Sequence, residues 1–325
     1  MNISPLWDLY PEVETYSSRF IRPLDGTEHQ IYVEECGNPK GFPVLFIHGG
    51  PGAGCSTTDR RYFNPEKWRI ILFDQRGSGR SKPFGSIANN TTDHLCDDID
   101  EIYKELGIQK AVLFGGSWGS TLALVFAIAR PEKVSGMVLR GIFLGEKSEI
   151  DYLWNGAIAR HFPEVWLRFL IVVPKEFKKN PAEYYYQQLM SPDLVIRKKV
   201  AYEWARFEEA LLHLEPQTPE SIDKETSSFS FESCAIMEAH YLFKNHCFFK
   251  EGFILKNVGE IPKIPISIIQ GRYDMVCPPV SAYRLKQKMP LANLHMVTAG
   301  HSSSDPEIRK KLISETDAMF DKITK

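Results

Sequence analysis

The sequence predicts an α/β protein: a mostly parallel sheet flanked by helices, with a helical cap (lid) inserted between core strands. Three observations carry this. Short runs that are apolar on both faces, each closed by glycine or another turn signal, recur through the first half, as strands buried in a parallel sheet do. Segments with apolar residues at helical spacing alternate with them, and strand–helix–strand at this rhythm makes parallel neighbours. From about residue 145 to 258 the alternation stops and the spacing is helical, before strands return near the end.

Taken in order, EHQIYVEECG near the start reads as an extra strand or hairpin ahead of the main sheet. PVLFIHGG (43–50), WRIILFDQRG (68–77), KAVLFGGS (110–117) and KVSGMVLRG (133–141) read as its strands. Between the second and third, TTDHLCDDIDEIYKELG (91–107) sets Leu95, Ile99, Ile102 and Leu106 at helical spacing. Thr92 is the expected N-cap and Gly107 the expected C-terminal stop. STLALVFAIARPEK then reads as a helix ended by Pro131. In the insert, WLRFLIVV, EYYYQQLM, KKVAYEWARFEEALLHL and SCAIMEAHYLFKN read as helices, separated by Pro163, Pro174, Pro181, Pro192 and Pro216. IPISIIQGRYD (264–274), read as a strand ended by Asp274, and ANLHMVTAGH (292–301) resume the sheet, and a last helix starts near Pro306. The expected division is a catalytic core of residues 1–145 and 259–325 and a helical cap of residues 146–258.

Composition narrows the function. The 325 residues are 43% hydrophobic and 25% charged, with a formal net charge of −2, which is ordinary for a chain with a large core. A balance this near neutrality gives no electrostatic reason to expect nucleic acid or an anionic membrane as partner. The start, MNISPLWDLYPEVETYSS, is polar and acidic and lacks the basic and apolar regions of a secretory signal. FLIVVP (169–174) is far too short to span a bilayer. The six cysteines are scattered without CxxC pairs or zinc-ligand spacing, and scattered thiols fit a reducing cytoplasm. Oligomeric state is not legible.

The chemistry concentrates in LFGGSWGST (113–121). Gly115-Gly116-Ser117-Trp118-Gly119 is a G-x-S-x-G pattern with a strand before it and a helix after it. Such a turn lifts a serine hydroxyl above the sheet on a strained backbone, and flanking glycines leave room for neighbouring strand and helix. A serine nucleophile needs a base, and the base an orienting acid, in the chain order Ser, Asp or Glu, His. Asp274 and His301, each at the end of a C-terminal run, fit that order with Ser117. HGGPGAG (48–54) follows a strand where the second oxyanion N–H is supplied, so Gly50 and Trp118 are the expected donors. DQRGSGRSKP (74–83) is a sharp turn whose Arg76 and Arg80 are expected to brace loops. These residues alone leave open an esterase or amidase of small acyl groups, and a non-catalytic binding protein on the same fold.

HGGPG, DQRGSGRS, GGSWGS, LRGIFL, GRYDMVCPP and AGHS together resemble the proline iminopeptidases (prolyl aminopeptidases), serine peptidases of the α/β-hydrolase fold, over nearly the whole chain. The resemblance implies release of an N-terminal proline from short peptides, without metal or cofactor. It implies that two lid glutamates read the free amine. One closes a W-x-x-W-E motif, here Trp204-Ala-Arg-Phe207-Glu208 with Phe as the second aromatic. The other lies in A-x-x-E-x-H-Y, here Ala235-Ile-Met-Glu238-Ala-His240-Tyr241. It implies a proline pocket of Phe143, Trp154 (where the family more often has Tyr) and Cys277. Independently of the resemblance, two carboxylates facing one partly buried pocket repel, which raises at least one pKa.

Overall fold

Strands β1 (Thr15–Ile21), β2 (Ile31–Gly37), β3 (Phe42–Ile47), β4 (Trp68–Asp74), β5 (Ala111–Gly116), β6 (Val134–Arg140), β7 (Ile266–Gly271) and β8 (Asn293–Val297) form one sheet in the order β1-β2-β4-β3-β5-β6-β7-β8. The computed structural model describes residues 9–228 and 230–325; the first eight residues of the polar N-terminal stretch lie outside them. β2 pairs antiparallel with β1 and with β4, and all pairings from β4 onward are parallel. The early run is therefore one arm of a hairpin. Its partner β1 alternates exposed and half-buried side chains, so it has no apolar run to announce it.

Side-chain alternation builds two cores. Leu45, Ile47, Ile71, Phe73, Leu113 and Leu139 face one side of the sheet, toward helices α1 (Thr92–Glu105) and α2 (Trp118–Ala129). Val44, Phe46, Ile70, Leu72, Val112, Phe114 and Val138 face the other. Burying both faces is why these runs read as continuously apolar. Helix α1 is capped by Thr91, whose hydroxyl accepts from the His94 N–H, one residue earlier than the expected Thr92. Gly107 follows the helix at φ +64°, a conformation that favours glycine.

Among the described residues every regular element between β6 and β7 is helical: α3 (Lys147–Trp154), α4 (Pro163–Phe169), α5 (Pro181–Leu189), α6 (Leu194–Glu209), α7 (Pro219–Ser228), α8 (Phe231–Glu238) and α9 (Phe253–Asn257), with shorter turns. Pro163 and Pro181 do not merely separate helices; each is the first residue of one, where a missing N–H costs nothing. The WLRFLIVV helix stops at Phe169. Helix α8 runs into a wide π-type turn, Ala239–Lys244, directly after Glu238. The chain closes with α10 (Val280–Lys288) and α11 (Pro306–Ile323), and α11 covers the second core through Ile308, Leu312, Ile313 and Met319. Among the described residues no helix is long and apolar enough to cross a membrane.

Because β3, β5, β6, β7 and β8 are parallel, the segments leaving their C-terminal ends converge on one edge. They deliver His48–Gly54, Ser117, Arg140–Phe143, Asp274 and His301 to the same side of the sheet, the usual ligand edge of such sheets. The insert sits over that edge.

Candidate active site

Ser117 joins β5 to α2 at φ +56° and ψ −127°, a strained conformation for a side-chain-bearing residue. The strain is enforced from both sides. A Cβ on Gly115 would lie 2.3 Å from the Gly119 carbonyl oxygen, and one on Gly119 would lie 2.1 Å from that of Ile47. The Ser117 N–H donates to the Arg140 carbonyl (2.9 Å), tying the turn to β6. Trp118, the first residue of α2, has a backbone N–H with no intrahelical acceptor. Its indole is anchored by a 2.9 Å hydrogen bond to Gln75.

Asp274 lies three residues beyond the end of β7, not at its last position. Its carboxylate accepts from the backbone N–H groups of Val276 (3.0 Å) and Cys277 (2.7 Å) and from Gln270 Nε2 (3.0 Å). His301 Nδ1 donates to Asp274 Oδ2 at 2.8 Å, both side chains being buried. That bond fixes the tautomer and leaves Nε2 as the acceptor. Nε2 meets Arg140 at 2.9 Å, while the Ser117 hydroxyl stands 4.0 Å from Cys277 Sγ. His301 and Ser117 thus border one chamber without a hydrogen bond between them. Gly141 makes room for the pair, since a Cβ there would come within 2.9 Å of the His301 ring.

The lid brings Glu208, from the end of α6, against Glu238, from the end of α8. Burial pushes the Glu208 pKa well above the carboxylate range, and the neighbouring Glu238 charge pushes it further. Burial raises Glu238 as well, but hydrogen bonds from Glu208, Trp204 and Cys234 offset part of that. Glu238, which accepts from the Trp204 indole and the Cys234 thiol, is therefore the member better able to carry the charge. Trp204 Nε1 donates to Glu238 Oε2, and Cys234 Sγ lies 3.3 Å from Oε1. Trp154 stacks on Trp204 with centroids 3.8 Å apart and planes 18° apart. The two departures from the family pattern meet here: Phe207 packs on Trp154 at 5.3 Å and on Phe169 at 4.4 Å.

Two cavities meet at Ser117. A small one of about 30 Å³ is bordered by Phe143, Trp154, Glu208, Glu238 and Cys277, among others. A large open chamber of about 710 Å³ is bordered by His48, Arg140, Glu209 and His301, among others. Gly50, Ser117 and Glu208 border both. The expected pocket residues are thus all present around the small cavity. The Cys277 and Cys234 thiols are pushed far up by burial, which keeps them protonated. Among the described residues no group of three or more His, Cys, Asp or Glu side chains is arranged to hold a metal ion.

Several supports are not legible in the sequence. Gln270 donates to Asp274 and to the Cys277 carbonyl (2.9 Å) and accepts from the Ile142 N–H (2.9 Å). Glu149 accepts from the Leu144 and Glu146 N–H groups and so holds the loop carrying Phe143. Burial pushes its pKa up to about 7. Nothing in the pattern separates these from other polar residues, although the arginine of LRGIFL, Arg140, stands inside a quoted motif. Arg76 and Arg80 brace loops as expected, Arg76 through Asp98 and Asp25, Arg80 through Asp74 and Glu34. His48 is buried and takes the Gln75 N–H on Nε2 (2.9 Å), a structural role.

Comparisons with known proteins agree with this geometry. Residues 43–307 match the family model described as alpha/beta hydrolase fold. The proline iminopeptidase of Arabidopsis thaliana is 40% identical, covering 96% of this chain and 82% of that protein. That of Neisseria gonorrhoeae is 40% identical, covering 91% of this chain and 94% of that protein. Solved structures share the fold at low identity. An esterase from Exiguobacterium antarcticum (TM-score 0.63, 19% identical) covers 95% of this chain and 100% of its own. A proline iminopeptidase-related protein from Thermus thermophilus (TM-score 0.60, 17% identical) covers 95% and 97%. With a serine on a strained strand-to-helix turn, an Asp–His pair beside it and near-full-length relatives at this identity, the chain belongs to the proline iminopeptidase family of the α/β-hydrolase fold.

Proposed function

We propose that the protein is a serine aminopeptidase that releases an N-terminal proline from short peptides through a prolyl-enzyme intermediate. His301, oriented by Asp274, accepts the Ser117 hydroxyl proton as the oxygen attacks the proline carbonyl carbon. For this the Nε2 lone pair now facing Arg140 must meet Ser117 Oγ, and such bonds commonly tighten only with substrate bound. The Gly50 and Trp118 N–H groups hold the oxyanion; His301 returns the proton to the leaving amine, and water then cleaves the ester. The proline ring enters beside Phe143, Trp154 and Cys277, where the small cavity of about 30 Å³ has to widen to take it, and the departing peptide occupies the large chamber.

The observation that carries this reading is the Glu208–Glu238 pair beside Ser117. A protonated prolyl amine has two N–H donors, and two carboxyl groups converge where it would arrive. Its charge relieves their repulsion and lets Glu208 ionise. In the cap of residues 146–258 these carboxyls close one side of a site whose reacting groups belong to the core of residues 1–145 and 259–325. Six free thiols among the described residues favour a reducing, cytoplasmic setting. The test is a panel of aminoacyl amides, free and N-acetylated. Free proline amides should be cleaved and acetylated ones spared; equal rates on both would point instead to a general esterase or amidase.

A further inference from the structure

Asp305 is the N-cap of helix α11, and aspartate is among the best residues for capping a helix through its side chain. Asp305 makes no such bond to α11. Its buried carboxylate is turned the other way. Oδ2 accepts from the Gly300 N–H (2.7 Å), immediately before His301, and from the Leu214 N–H (3.2 Å) just beyond α6. Oδ1 meets His213 Nδ1 at 3.0 Å. A carboxylate at the foot of the histidine loop has thus given up its own helix to hold the lid.

The two backbones are already in close contact there. The Leu212 carbonyl accepts from both the His301 N–H (2.7 Å) and the Ser302 N–H (2.8 Å). A Cβ on Gly300 would lie 2.7 Å from the Leu212 oxygen and from the Leu214 nitrogen, so glycine is what permits the approach. Leu212 is one helical turn past Glu208, whose carbonyl accepts from the Leu211 N–H at 2.8 Å. The chain that reads the substrate amine is thereby joined, within four residues, to the chain that carries the base.

We propose that Asp305 is a positioning residue that locks Glu208 and His301 into one unit, so that the distance between amine recognition and proton transfer is held by the Asp305 clamp. The proposal rests on the aminopeptidase reading above for its substrate, but the clamp acts on His301 whatever the substrate is. Asp305 touches neither substrate nor reacting atoms; its effect passes through Gly300–His301 and through Leu212–Leu214.

The experiment compares wild type with Asp305→Ala, Asp305→Asn, Asp305→Glu and His213→Ala. Two readouts are taken per folded molecule: the rate of Ser117 labelling by a fluorophosphonate, and kcat and KM on a proline amide. Labelling reports the Ser117–His301 chemistry without the amine site, whereas KM reports the amine site. For Asp305→Ala the expected result is a fall of about 10-fold or more in labelling rate and kcat with a rise in KM. Asp305→Asn, which keeps an acceptor for Gly300 and Leu214, should fall less, and Asp305→Glu should recover part of the loss. His213→Ala, which frees only the lid side, should raise KM several-fold more than it slows labelling. If Asp305→Ala melts earlier but labels and turns over like wild type per folded molecule, Asp305 is structural only and the proposal fails. If wild type labels rapidly yet leaves proline amides intact, the aminopeptidase reading fails, and an unslowed labelling rate in Asp305→Ala would still overturn the clamp.

Discussion

The sheet edge and the lid hold their functional groups by different means. At the edge, Ser117 is constrained by backbone: a positive φ, glycines without room for a Cβ, and an N–H bonded to β6. Asp274 is likewise held by two backbone N–H groups and Gln270. In the lid, Glu238 is held by side chains, namely the Trp204 indole and, behind it, the stacked Trp154. Backbone geometry tolerates side-chain variation around it. An aromatic stack can be retuned one ring at a time, and Trp154 and Phe207 sit in that stack. On the proposed function, reaction chemistry and substrate choice are thus carried by separate structural devices.

The largest break in this contrast should come from Ser117→Ala. Removal of the nucleophile is expected to lower kcat for a proline amide by roughly 10⁴-fold or more, with the fold intact by circular dichroism. Next is Ile71→Ala on the buried central strand β4. It should cost about 2–5 kcal/mol of unfolding free energy in denaturant melts while KM stays near wild type in the fraction that remains folded. Glu208→Gln should do the reverse. Loss of a charged partner for the substrate amine should raise KM by roughly 10- to 100-fold, while the melting temperature at neutral pH rises.

The sign follows from linkage. The folded pKa of Glu208 is raised, so the folded state binds its proton more tightly than the unfolded chain does. That stabilisation is present at low pH and is lost as pH rises through the raised value. Glutamine removes the ionising group and the loss with it. In wild type, KM should fall as pH rises through the same range, as the pair gains charge, and Glu208→Gln should flatten that dependence. Smallest is Trp204→Phe, which keeps a ring in the stack and removes the donor to Glu238. About 1–3 kcal/mol of stability or substrate affinity should go with that donor, read as a several-fold or larger KM increase with fluorophosphonate labelling unchanged.

Legibility in the sequence follows the range of the forces involved. Strands β3 to β7 are readable because both faces are largely buried, and the serine turn because glycine is required at fixed offsets. Strand β1 is not, since its polar residues pair with β2 while much of it remains exposed. Helices α3, α7, α9 and α10 escape the pattern; α3 and α7 are short and strongly polar. Chain order picks out Asp274 but the apolar run places it three residues too early, because the strand stops at Gly271, where a Cβ would meet the Gly300 carbonyl oxygen at 1.9 Å. Glu208 cannot be chosen over Glu203 and Glu209 by pattern; resemblance chooses it, and in the fold it borders both cavities.

By itself the sequence determined what is local: the alternation that makes a parallel sheet, the glycine-flanked serine, and the chain order of Ser117, Asp274 and His301. Only the tertiary structure decided what depends on meeting across the chain. It set Glu208 against Glu238, stacked Trp154 on Trp204, and brought Arg140 to His301 and Asp305 to the lid. The reason is physical: periodicity and turn chemistry act within a few residues, whereas the pairing of buried charges is chosen by which surfaces the fold brings together.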